Sequence, residues 1–182
     1  MPVISLPFGI YFMANDAVAE CTDTFLYSVR HHNQDISIVH IPFDENWGAI
    51  KPLLRKYGCY EIGLPMEPYD AVGAAYFPDN ILAMHDYRRF SSFQGPLERF
   101  IFLDIDMLVV AKLQPIADAI FGSDFDICFY RYSQRGRTFV SDVLMDFMES
   151  AYPEYSRLGY NAAFIASRKG AVHYGTPPPT RR

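Results

Sequence analysis

Two aspartates, Asp104 and Asp106, interrupt an otherwise apolar run, Arg99-Phe100-Ile101-Phe102-Leu103-Asp104-Ile105-Asp106-Met107-Leu108-Val109-Val110. A carboxylate buried in such a run costs several kcal/mol unless it is paired or bound to a cation. In an extended chain, two residues at this spacing point to the same side. Their repulsion there favours a divalent cation between or beside them. Mg²⁺ and Mn²⁺ prefer oxygen ligands, and typically take one or two carboxylates together with substrate phosphates. The plain alternative is a loop turn in which both aspartates cap backbone N–H groups. The apolar flanks, with no turn residue between the pair, weigh against it.

A pair of this kind needs a sheet to hold it, and in open α/β sheets ligands collect at the carboxyl ends of strands. Phe8 to Met13, bounded by Pro7 and Asn15-Asp16, predicts a buried strand. Asn15 or Asp16 is suited to cap the following helix, whose stripe Val18, Cys21, Phe25, Val29 runs towards His31-His32-Asn33. Ile36 to Ile41 predicts a second strand, and Ile50 to Tyr57 a short helix stopped by Gly58. Glu61 to Ala75, punctuated by Gly63, Pro65, Pro68 and Gly73, reads as a loop-rich insertion. A helix is expected from Pro78-Asp79 to about Phe93, then a central parallel strand over the whole run Arg99 to Val110. Pro115 to Phe121 (helix), Phe125 to Tyr130 (strand), Phe139 to Met148 (helix) and Asn161 to Ser167 (strand) complete the order. The alternation predicts an α/β fold with a mostly parallel central sheet flanked by helices. One domain is expected over residues 1–174, with a Pro-rich, disordered tail at 175–182.

The 182 residues suit one domain with a sizeable core, since half are hydrophobic and a fifth are charged. No apolar stretch approaches the roughly 20 residues that span a bilayer, so no transmembrane segment is expected. The first residues carry no Lys or Arg, which argues against a secretory signal. A formal net charge of −5 gives no electrostatic reason for a nucleic-acid partner. Cys21, Cys59 and Cys128 have neither pairing nor metal-like spacing, which suits reduced thiols in a cytoplasm. Dinucleotide, P-loop, hydrolase-elbow and thiol-redox signatures are all missing from the sequence. Aromatics reach 16 %, and most read as core. Tyr11 or Phe12, near the first strand end, is suited to stack on a nucleobase.

Phe100 to Val109 resembles the Asp-x-Asp strand of nucleotide-sugar glycosyltransferases of GT-A fold. It is most similar to the family 8-like group, with its apolar run, Leu-Asp-x-Asp and second apolar run. The strand followed by Asn15-Asp16 is similar to the family's first β-α unit, which holds the nucleoside. Asn161-Ala162-Ala163-Phe164-Ile165 resembles the later strand that faces the sugar. The resemblance implies a glycosyltransferase using Mn²⁺ or Mg²⁺, a nucleoside diphosphate donor such as a UDP-sugar, and an acceptor. It implies that Asp106 ligates the metal and that Asp104 contacts the metal or the ribose. Asn15 and Asp16 would border the nucleotide pocket, Arg88 or Arg89 would reach the diphosphate or sugar, and Asn161 would face the donor sugar. Family members carry a later segment with a further metal ligand, usually His. Here the chain ends soon after Asn161, His173 is the late candidate, and the sequence reads as a shortened relative. A homo-oligomer is compatible with this reading.

Other polar residues have plainer explanations. His31-His32 suits a helix C-terminus, His40 a satisfied strand position, and His85-Asp86 with Arg88 and Arg89 a solvated helix face. Arg131, Arg135 and Arg137 between tyrosines read either as solvated charge or as a basic loop near an anionic donor. Two other functions remain open. One is a nucleotide-sugar-binding domain without catalysis. The other is a haloacid-dehalogenase-type phosphotransferase with Asp104 as nucleophile, although that family places its motif near the start of the domain.

Overall fold

The computed structural model describes residues 5–122, 126–132 and 159–172. Its strands are β1 (Gly9–Ala14), β2 (Ser37–Pro42), β3 (Tyr60–Glu61), β4 (Arg99–Leu103), β5 (Ile127–Tyr132) and β6 (Gly159–Arg168). The α-helices are α1 (Ala19–His32), α2 (Lys51–Lys56), α3 (Glu67–Tyr76), α4 (Ile81–His85) and α5 (Gln114–Phe121). Two 3₁₀ segments, Asp16–Val18 and Asp86–Phe93, precede α1 and follow α4. The strands form one mixed sheet in the order β3-β2-β1-β4-β6-β5. β1 is parallel to β2 and β4, β2 is parallel to β3, and β6 runs antiparallel to both β4 and β5. The predicted α/β class with a mostly parallel sheet is what the molecule has.

All six residues of β1 are buried, because both faces of the sheet are covered. Ile10, Phe12 and Ala14 pack with Phe25, Leu26 and Val29 of α1 on one side. Tyr11 and Met13 pack with Tyr69, Phe93 and Phe100 on the other. The predicted stripe of α1 holds at Phe25 and Val29 and is corrected at Cys21, which is exposed, while Thr22 and Leu26 are buried. Thr22 is tolerated inside because its hydroxyl donates to the Val18 carbonyl at 2.9 Å. All three cysteines are free. No described helix is long and apolar enough to cross a membrane.

Three expectations are corrected. The segment read as a loop-rich insertion contains β3 and the ten-residue helix α3. Pro68 sits in the first turn of α3, where its missing N–H is harmless. Gly73 is buried where α3 crosses α4. The helix expected from Pro78 to Phe93 is a five-residue α-helix followed by eight residues of 3₁₀ helix. The strand expected over Arg99 to Val110 ends at Leu103, since the Met107 N–H donates back to the Asp104 carbonyl at 3.2 Å and closes a turn. The predicted helix at 139–148, the tail at 175–182, and Arg135, Arg137 and His173 lie outside the described residues.

A Cβ at position 73 would collide with the backbone of Met84, approaching its Cα to 2.8 Å. Gly73→Ala is therefore expected to destabilise by about 1–3 kcal/mol, although alanine is the better helix former. Chemical denaturation measures this, and an unchanged midpoint would show that the crossing is loose.

Candidate functional site

The chain leaves β1 through α1 to build β2 and β3 on one side, then returns to place β4 on the other side of β1. The carboxyl ends of β1 and β4 thus flank the point where strand order reverses, the crevice in which open α/β sheets bind ligands. Asn15-Asp16 follow β1, and Asp104 follows β4. Antiparallel β6 brings Asn161 to the same end: the Asp104 N–H donates to the Ala163 carbonyl at 2.9 Å, and Leu103 pairs with Phe164. The backbone of Asn161 pairs with Tyr130 of β5.

Asp104 and Asp106 occupy the turn after β4, so the alternation of an extended strand does not orient them. Asp104 is half-buried and Asp106 exposed. Burial pushes the Asp104 carboxyl above its usual range; Arg89 pulls it down, while Asp106 and Asp86 push it up. The donor set consists of hard oxygens, half-desolvated and crowded by like charge, which suits Mg²⁺ or Mn²⁺. Among the described residues no three His, Cys, Asp or Glu side chains gather as a metal site. The pair would therefore hold a cation jointly with other oxygens, as these ions accept.

Asn15 and Asp16 both bind the loop that follows β2. Asn15 Oδ1 accepts the Ala17 N–H at 3.2 Å, and Asn15 Nδ2 donates to Asp44 Oδ2 at 2.8 Å. Asp16 Oδ1 accepts from Ala49 N at 2.8 Å and Ile50 N at 3.1 Å. These bonds set the wall of the crevice at its β1 end. Arg88 is buried and committed to Asp70 and Glu45. Its neighbour Arg89 is the arginine that faces Asp104, with Nη1 3.9 Å from Oδ1.

Asp70, Glu45 and Asp86, the partners of these arginines, escape sequence reasoning. Only the run His85-Asp86-Tyr87-Arg88-Arg89 hinted at paired charge there. His31 and His32 end α1 at the opposite end of the sheet, His31 stacked on Tyr27 and meeting His32 edge-on. His85 is buried edge-on against Phe43.

No protein-family model matches the chain, and no curated protein matches it in sequence. Solved structures do match in fold. Mouse xyloside xylosyltransferase 1, in its apo form, superposes with a TM-score of 0.64 at 13 % identity, over 91 % of this chain and 68 % of that one. The galactosyltransferase LgtC, solved with donor and acceptor sugar analogues, gives 0.58 at 21 % identity, over 88 % and 57 %. The bifunctional glycosyltransferase WbbM gives 0.53 at 14 % identity, over 94 % and 33 %. This chain spans 57 % of the length of LgtC, somewhat over half. What these similarities establish is architecture: the chain has the GT-A fold of these glycosyltransferases.

Proposed function

We propose that the protein is a metal-dependent glycosyltransferase that moves a sugar from a nucleoside diphosphate donor, a UDP-sugar, to an acceptor. The observation that carries this reading is the Asp104/Asp106 pair at the strand-order reversal of a GT-A fold, with Asp104 half-buried beside Arg89. Asp106 would ligate Mn²⁺ or Mg²⁺, and Asp104 would share the cation or accept from a ribose hydroxyl. Asn15 and Asp16, by fixing the loop after β2, would shape the nucleotide pocket, and Asn161 would face the donor sugar. When bound, the cation would supply Lewis-acid stabilisation of charge on the leaving diphosphate. Arg89 adds a second positive charge close to Asp104 for the same oxyanions.

Titration calorimetry with UDP and MnCl₂ tests the site. Wild type is expected to bind UDP only with the cation present, and Asp106→Ala to bind the Mn²⁺–UDP pair at least about 10–100-fold more weakly, the loss that removing even an outer-shell partner of a metal ligand brings. UDP binding that is indifferent to Mn²⁺, or no binding at all, would overturn the reading. Release of UDP from a UDP-sugar then separates a working transferase from a domain that only binds the donor.

A further inference from the structure

We propose that Arg89 is a displaceable counter-ion of Asp104 that makes cation binding conditional on the donor diphosphate; this rests on the reading of Asp104 and Asp106 as cation ligands. Two acidic neighbours of Arg89 among the described residues hold it unequally. Its Nη2 lies 2.9 Å from Asp86 Oδ1, and its Nε donates to the Asp86 carbonyl at 3.0 Å. Its Nη1 lies 3.9 Å from Asp104 Oδ1, outside hydrogen-bond range. The guanidinium carbon stands 5.4 Å from the Phe102 ring centre, and the side chain is 13 % exposed. Asp86 and Phe102 thus help to seat the arginine, and its hold on Asp104 is looser than its hold on Asp86. Asp104 can turn to a cation while the guanidinium keeps a charge-assisted bond to Asp86. The exchange strands no buried charge.

The arrangement treats two arrivals differently. A divalent cation alone meets a carboxylate already partly neutralised, with a like charge a few ångströms away. A cation that arrives with a diphosphate brings negative oxygens that the guanidinium fork can face instead. By linkage, cation and diphosphate must raise each other's affinity by one common factor. Arg89 enlarges that factor by penalising the cation alone and rewarding the pair.

Calorimetry on the full chain measures three equilibria: MnCl₂ alone, UDP alone, and MnCl₂ at saturating UDP. Arg89→Gln is expected to bind Mn²⁺ alone about tenfold more tightly, the order of a unit charge about 4 Å away under screening close to that of bulk water. The same variant should bind the Mn²⁺–UDP pair more weakly, so the coupling factor contracts. Arg89→Lys, which keeps the charge, should stay near wild type for Mn²⁺ alone. A residue that merely supports the fold would weaken both equilibria, and circular dichroism confirms that each variant is folded. Mn²⁺ affinity that is unchanged or lower in Arg89→Gln overturns the counter-ion role and leaves the Asp104/Asp106 reading standing. Wild type that takes no Mn²⁺ with or without UDP overturns both.

Discussion

An Arg88→Ala protein is expected to lose about 3–5 kcal/mol of folding free energy, the usual cost of removing one partner from a buried ion pair. The Arg88 side chain is 2 % exposed. Its Nε and Nη2 fork onto the two Asp70 oxygens at 2.7 and 2.6 Å, and Nη2 also meets Glu45 Oε1 at 2.6 Å. Its Nη1 reaches the Pro42 carbonyl at 3.3 Å. Burial works against the charge, but the hydrogen bonds to Asp70 and Glu45 outweigh it and leave the guanidinium pKa above its ordinary value. One side chain thus joins α3, the end of β2 and the loop after it to the 3₁₀ segment that carries Arg89. Truncation leaves Asp70 partly buried without its cation. A domain holds about 5–15 kcal/mol in all, so the variant should be near its limit. The check is urea unfolding, with a lower midpoint at unchanged slope. Arg88→Lys should recover only part, because an ammonium cannot fork. Arg88→Met combined with Asp70→Leu should cost less than Arg88→Ala, since no charge is then stranded. A loss under about 1 kcal/mol would rank the cluster with surface pairs.

That cluster also marks where sequence reasoning stops. Periodicity found β1, β2 and α1 because their burial patterns are dense and local; Phe25 and Val29 follow directly from helical spacing. It missed α3 because Pro68 and Gly73 count as breakers, whereas their acceptability depends on a first-turn position and on Met84 across the crossing. It overran β4 because Met107 to Val110 is apolar. Those residues are not in the sheet: Val109 is buried beside α1, its N–H donating to Ser28 Oγ at 3.1 Å. The Asp104/Asp106 motif was legible as residues, but its setting in a turn was not. Arg88 and Arg89 were indistinguishable as letters. Their partners Asp70 and Asp86 lie 18 and three positions away and separate a structural arginine from one that faces Asp104. Nothing local encodes that β6 runs antiparallel, though this brings Ala163 against Asp104.

Acidification should cost the fold about 3 kcal/mol between pH 6.5 and 4 through one residue, His40. Its ring lies on β2 between Phe12 and Trp47, with centroids at 5.3 and 5.4 Å, and is 1 % exposed. Nε2 donates to the Ala14 carbonyl at 3.0 Å, while buried Nδ1 has no hydrogen-bond partner among the described residues. Burial therefore pulls the pKa down to about 4, and the Ala14 carbonyl opposes this only in part. The unfolded chain takes up the His40 proton near pH 6.5 and the folded one only near pH 4. Stability is full above the upper value and falls as pH drops through the window, because protonation favours the unfolded state. Other groups act differently. Asp23 and Glu45, held low chiefly by hydrogen bonds from Lys56 and Arg88, lose those contributions at lower pH. Asp104, raised by burial, favours the folded state on protonation and works against the His40 trend. His40→Gln isolates the effect, since its amide can still donate towards Ala14 and has no proton to gain. Denaturation midpoints of wild type should slope through the window while those of His40→Gln stay nearly flat; a slope retained in the variant would assign the acid loss to other groups. Because the Ala14 carbonyl also accepts the Phe43 N–H at 3.1 Å, a proton on His40 would loosen the seam that Asn15 and Asp16 close next to the crevice.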